Sequence, residues 1–244
     1  MRRLASVTCA IAMVVSASAA QAATISFNNV IGTWSLGDPA ANVTYRNNST
    51  QVASADWGGA FPTGSGYDFA GAAPPQIDVA VPPSPSATFD LGTFTHRNNP
   101  IPAGSSITGI RLTVTTDVFV DAVAQGSKNF VFDFTHFETP NGNDPCADGG
   151  ALGVGINDNG CADRVTFNYN ALSDSFQVGS TIYTVNLAGF LVGNTQVTDF
   201  WTREQANNSA VLRGQIVERS TIPEPASLFL LGAGLLGLAR VRRQ

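Results

Sequence analysis

His96 and His136 are the only two histidines in the chain, and each directly follows a threonine. A histidine pair joined by a carboxylate can hold a transition metal or move a proton. Asp133, Glu138 and Asp163 are the carboxylates that could complete such a set. No H-x-x-x-H or H-E-x-x-H spacing accompanies them. The plainer expectation is that each imidazole ties a strand end to a neighbouring backbone carbonyl. On that reading His96→Ala costs ~0.5–1.5 kcal/mol, the net worth of one hydrogen bond. No catalytic residue, no transition metal and no enzymatic activity are expected.

A second candidate lies between Asn141 and Asp163. Asp144, Asp148, Asp158 and Asp163 sit there at short spacing among asparagines. Calcium takes oxygen ligands of this kind, although the spaced acids and terminal glutamate of an EF-hand loop are missing. Asn157-Asp-Asn-Gly160 is equally the composition of a turn, because Asn and Asp tolerate left-handed backbone. The expectation is no cofactor, with calcium the one ion the segment suits. Cys146 and Cys161 flank the same stretch, and they are the cysteines left once a leader containing Cys9 is removed. In an oxidising compartment they form one disulfide, whose loop is worth ~3 kcal/mol in the chain-entropy model. Without a nearby histidine they make a poor zinc set.

The elements that must position these residues read as strands. Alternating runs stand out at Ile110–Val114, Phe130–Phe134, Val165–Tyr169, Ile182–Leu187 and Val211–Val217. Weaker ones fall at Ile25–Phe27, Ile31–Trp34, Asn42–Tyr45, Gln76–Val81 and Ala87–Phe94. Gly58 to Pro85 reads as long loops with one strand inside. No helical stripe of useful length precedes the C-terminal tail. The expected class is all-β, an antiparallel β-sandwich of jelly-roll type. In such a fold Trp34, Trp57 and Trp201 belong more often to the core or an edge than to a sugar-stacking face.

Both ends of the chain carry addresses. Arg2-Arg3 followed by about a dozen mostly apolar residues and the small-residue stretch Ser16–Ala23 has the layout of a secretory signal peptide. Cleavage between Ala22 and Ala23 by the general secretion machinery follows, with Ala20 or Gln21 as alternative mature N-termini. At the other end, Pro223-Glu224-Pro225 precedes the uncharged run Ala226–Ala239 and then Arg240, Arg242 and Arg243. As a helix that run rises only ~21 Å against a hydrocarbon core of ~30 Å, so it makes a marginal transmembrane anchor. The arginines keep its end cytoplasmic. Residues 1–22, 23–221 and 222–244 are thus leader, single ectodomain and tail. The two ends hold five of the 13 basic and one of the 18 acidic residues, leaving the body 8 basic against 17 acidic, net −9. That balance argues against nucleic acid as a partner. No G-x-S-x-G elbow or phosphate-binding loop is present.

The tail resembles the PEP-CTERM sorting domain on all three of its parts, in order. The resemblance implies an exosortase as processing partner, with Pro223, Glu224 and Pro225 recognised and Arg240, Arg242 and Arg243 as a retention cluster. It also implies transient insertion in the inner membrane and a link to exopolysaccharide or biofilm. In the body, Thr95-His96-Arg97-Asn98 and Glu138-Thr139-Pro140-Asn141 resemble the THxN family, also described as choice-of-anchor K. That resemblance implies an extracellular β domain and no specific activity. The expected function is a non-enzymatic surface or extracellular-matrix role. A carbohydrate-binding module, marked by aromatic side chains on an exposed sheet face, and a secreted hydrolase, marked by clustered acids or histidine in a cleft, are the alternatives.

Overall fold

Alternation of inward and outward side chains builds most of the molecule. The computed structural model of the protein describes residues 22–219, apart from 73–75, 83 and 170–171. The expected leader (Ala22 excepted), the expected transmembrane helix and the sorting motif therefore lie outside the described residues. Among the described residues no helix is long and apolar enough to cross a membrane.

The first strands are β1 (Ala23–Asp38), β2 (Thr44–Arg46), β3 (Val52–Trp57), β4 (Ser65–Gly71) and β5 (Gln76–Val81). Next come β6 (Phe89–Asn98), β7 (Gly109–Val120), β8 (Val123–Phe137) and β9 (Asp163–Tyr169). The last are β10 (Phe176–Val178), β11 (Thr181–Val192), β12 (Thr195–Val197), β13 (Phe200–Thr202) and β14 (Ala206–Glu218). They pair into two antiparallel sheets. One runs β13-β9-β8-β7-β1-β5; the other runs β10-β11-β14-β6-β4-β3-β2, with β12 added on β11. The described residues are all-β apart from two short 3-10 turns, as the composition implied.

Strand β7 shows how sequence becomes sheet. Ile110, Leu112, Val114, Thr116 and Val118 are buried, while the residues between them are half-exposed. Inward side chains from both sheets meet in one core. Phe27 of β1 stacks on Phe89 of β6, and Phe134 of β8 on Phe94 of β6, each at 5.3 Å between ring centroids. The indole Nε1 of Trp34 donates to the Ala53 carbonyl at 3.1 Å, joining β1 to β3 across the core.

Three local expectations change. Ile25–Phe27 and Ile31–Trp34 belong to one strand, β1, whose pairing with β7 shifts register between Asn28 and Ile31. Asn29 sits there at φ 56°, so the two runs are joined by a bulge within one strand. Gly58 to Pro85 holds two strands, β4 and β5, rather than one. In β4, Gly71 lies so close to the Val30 carbonyl that no Cβ would fit, and glycine here marks close approach rather than loop. Strand β3 escaped detection because its buried positions include Ala53 and Ala55, small residues with weak strand preference.

Between β8 and β9 the chain makes a long excursion closed by a disulfide between Cys146 and Cys161. Both cysteines should resist alkylation in the native protein and label only after reduction. Full labelling without reductant would show the bridge absent.

Candidate functional site

Strand β6 divides the motif Thr95-His96-Arg97-Asn98 between two faces. Phe94, His96 and Asn98 point into the sandwich. Thr95 and Arg97 point out, Thr95 to the Ser209 hydroxyl at 2.8 Å and Arg97 to Asp68 at 2.9 Å and to Asp56. Strand β8 does the same. Phe134 and His136 face inward, while Asp133 faces outward and pairs with Arg111 at 2.7 Å. Asp133 is therefore not part of any site with the histidines.

The inward residues converge with those of two further segments. Asp163 opens β9, and Thr202 of β13 pairs with it across the sheet. His96, Asn98, Asp163, Thr202 and Glu204 are all at 0% exposure. The two imidazoles lie edge to face at 5.2 Å, against Trp57 and Tyr67. His96 and His136 thus come together, as the metal-site reading required. One potential ligand atom each from His96, His136 and Asp163 lie within 4.8 Å of one another, and so do one each from Glu138, Asp163 and Glu204.

The hydrogen bonds assign most of the protons. Thr202 donates its hydroxyl hydrogen to the Asp163 carbonyl at 3.2 Å, so it accepts from His96 Nδ1 at 2.8 Å. His96 Nε2 is then a bare lone pair, and it has no partner. His136 has both nitrogens engaged, Nδ1 with the Tyr67 hydroxyl at 2.6 Å and Nε2 with Glu138 at 3.2 Å. The partners are side chains rather than the backbone carbonyls expected from the sequence. Asp163 Oδ1 accepts from the Thr139 backbone N–H at 2.7 Å and from the Thr139 hydroxyl at 3.2 Å. Asp163 Oδ2 accepts nothing.

Burial shapes the charges. It pushes the Asp163 carboxyl up to about 8, aided by the charge of Glu138 and opposed by the bonds from Thr139. Glu204 rises to about 7, through burial first and Glu138 second, while the Asn141 and Asn98 amides pull the other way. Those amides lie against the carboxylate, yet neither Glu204 oxygen receives a hydrogen bond of ordinary geometry. Burial also holds the His96 imidazole well below its usual range, helped by His136 and Arg97, and keeps it neutral. The Tyr67 phenol is held well above its usual range by burial and the charges of Asp163 and Glu138.

Only the rim of this cluster meets solvent. Glu138, Thr139 and Asn141 help line a groove of about 380 Å³, together with Ile101 and Gly104. The acids of the disulfide loop mostly serve the loop itself. Asp148 accepts from Asn157 Nδ2 at 3.0 Å and from the Gly150 N–H at 3.0 Å, which holds its carboxyl below the usual range. Asp144 accepts from Leu152 N at 3.3 Å, and Asp158 pairs with Arg203 at 3.1 Å. Of those four acids only Asp163 joins a group of potential ligands among the described residues.

Sequence reasoning missed Glu204. Its signal was the inward parity of Phe200, Thr202 and Glu204, but β13 is three residues long and Thr-Arg-Glu-Gln after Trp201 reads as a solvated turn.

Comparison with known proteins adds the far end of the chain. A search of curated proteins finds no match. No homologue confirms the resemblance of the body to the THxN family. Residues 221–243 match the family described as the PEP-CTERM protein-sorting motif. The chain carries a PEP-CTERM sorting motif, which implies exosortase-dependent sorting of a surface protein.

Proposed function

We propose that this is a non-enzymatic surface or extracellular-matrix protein, associated with exopolysaccharide and delivered by an exosortase. The observation that carries the proposal is the sorting motif at residues 221–243. In this reading a signal peptide at 1–22 exports the chain and is cut between Ala22 and Ala23, where strand β1 begins. The hydrophobic run and the arginines at 240, 242 and 243 hold the tail in the inner membrane until Pro223-Glu224-Pro225 is recognised. The ectodomain is a choice-of-anchor K-like sandwich of jelly-roll type.

Burial weighs against the hydrolase reading and removes two of the three tryptophans from sugar stacking, since Trp34 and Trp57 are in the core. Trp201 and Phe137 instead flank Arg164 on the outer face of their sheet, an aromatic group that suits the carbohydrate-binding alternative. Glycoside cleavage needs two carboxyl groups flanking the substrate. Here Asp163 and Glu204 are sealed, and Glu138 alone of the three acids borders the groove. The test is to locate the protein in host cells with and without the exosortase. With it, the protein should reach the surface or the medium; without it, the full chain should stay in the membrane fraction. Identical distribution in both strains would defeat the proposal.

A further inference from the structure

We propose that Asn98, Asn141, Asp163, Glu204 and Glu138 bind one divalent cation of the calcium type. This goes beyond the sorting role and does not depend on it. Six buried atoms of the cluster have no partner: His96 Nε2, Asn98 Oδ1, Asn141 Oδ1, Asp163 Oδ2 and both carboxylate oxygens of Glu204. With both acids ionised, as a bound cation would hold them, all six present lone pairs. The unpartnered Trp57 Nε1, stacked beside the imidazoles, is a single donor facing six acceptors. Among the described residues no arginine or lysine forms an ion pair with Glu138, Asp163 or Glu204. Buried acceptors left bare are strongly destabilising, and a cation is what satisfies several at once.

The side chains are held in this arrangement. Asn98 Nδ2 donates to the Thr202 carbonyl at 3.2 Å, so turning the amide over would cost that bond and put two oxygens together. Gly160, at φ +136°, packs its backbone against Asn141 and Glu204, where a Cβ would sit 2.8 Å from Asn141 Oδ1. The glycine lets the loop close over the cluster.

The donor set selects the ion. His136 spends both nitrogens on Tyr67 and Glu138, so His96 Nε2 is the one imidazole nitrogen of the described residues left for a metal. Zinc prefers a tetrahedral set rich in nitrogen or sulfur. Calcium takes six to eight oxygens and accepts bidentate carboxylates. Asn98, Asn141, Asp163, both Glu204 oxygens and one from Glu138 supply such a set, with three carboxylates against a double positive charge. The ion would tie the end of β6, in one sheet, to the ends of β8, β9 and β13 in the other. Asn98, Glu138 and Asn141 come from the two motif phrases, and of the three the sequence alone offered a role only for Glu138.

The test uses the purified mature protein. Elemental analysis should find one calcium per chain. After chelation, titration with calcium chloride should restore binding at a single site and raise the melting temperature by about 5–10 °C at calcium 100-fold above Kd. Glu204→Gln should weaken binding at least tenfold, while Asp148→Asn, in the disulfide loop, should leave it unchanged. If Glu204→Gln fails to fold, the stoichiometry and calcium titration of the parent decide. The proposal is overturned if the parent binds no calcium at millimolar concentration. It is also overturned if one zinc, iron or copper per chain is bound and is lost in His136→Ala.

Discussion

Replacing Arg97 with alanine should destabilise the fold by about 3 kcal/mol, the lower end of what breaking a buried ion pair costs. Arg97 lies beneath the outer face of its sheet, where β3, β4 and β6 run side by side. Its guanidinium joins Asp56 of β3 to Asp68 of β4, and Asp56 is shared with Arg46 at 2.5 Å. The ring of Phe61 covers both arginines, 4.0 Å from Arg46 and 5.3 Å from Arg97. Gly66 leaves the space the guanidinium fills, since a Cβ there would collide with it. Alanine would strand Asp68, and Asp56 would keep only Arg46, which is why the lower end applies. Lysine should not rescue, because it lacks the planar fork that reaches two carboxylates. Arg111→Ala is the contrast: its partner Asp133 is 40% exposed, and the loss should stay under ~1 kcal/mol. Urea unfolding of the three variants checks the order. Equal losses for Arg97→Ala and Arg111→Ala would show that burial of the Arg97 network contributes little.

His96→Ala should cost about 3 kcal/mol, well above the single hydrogen bond expected from sequence. The extra comes from packing. His96 stacks on Trp57 at 5.8 Å and meets Tyr67 at 5.0 Å and His136 at 5.2 Å, all edge to face except the first. Truncation leaves a cavity in this aromatic nest and deprives the Thr202 hydroxyl of a donor. The same unfolding experiment reads the result, and a loss within ~0.5–1.5 kcal/mol would restore the simple tie.

The difference between those two values for His96 shows what alternation can and cannot reveal. Periodicity placed Ile110–Val114, Phe130–Phe134 and Val211–Val217 on strands, because half-buried strands write their parity into the sequence. Parity also explains why Asp133 was a false member of the site: it is three residues from His136 and so on the opposite face. What parity does not give is which strand ends meet. His96, His136, Asp163 and Glu204 are brought together by pairings between segments far apart in the chain, and Glu204 follows a strand too short to show a pattern. Asn98 and Asn141 were visible only as letters of a family motif. Their roles depend on which amide atom faces the carboxylates, a matter of three-dimensional packing. Asp163 was named both with the histidines and with the acids of the disulfide loop, and the bonds from Thr139 hold it with the histidines.

Intact mass tests the processing of the two chain ends most directly. Protein recovered from exosortase-competent cells should begin at Ala23 and lack everything beyond roughly Pro225, including the arginine cluster. Arg243 and Gln244 still attached to the mature protein in those cells would contradict the account.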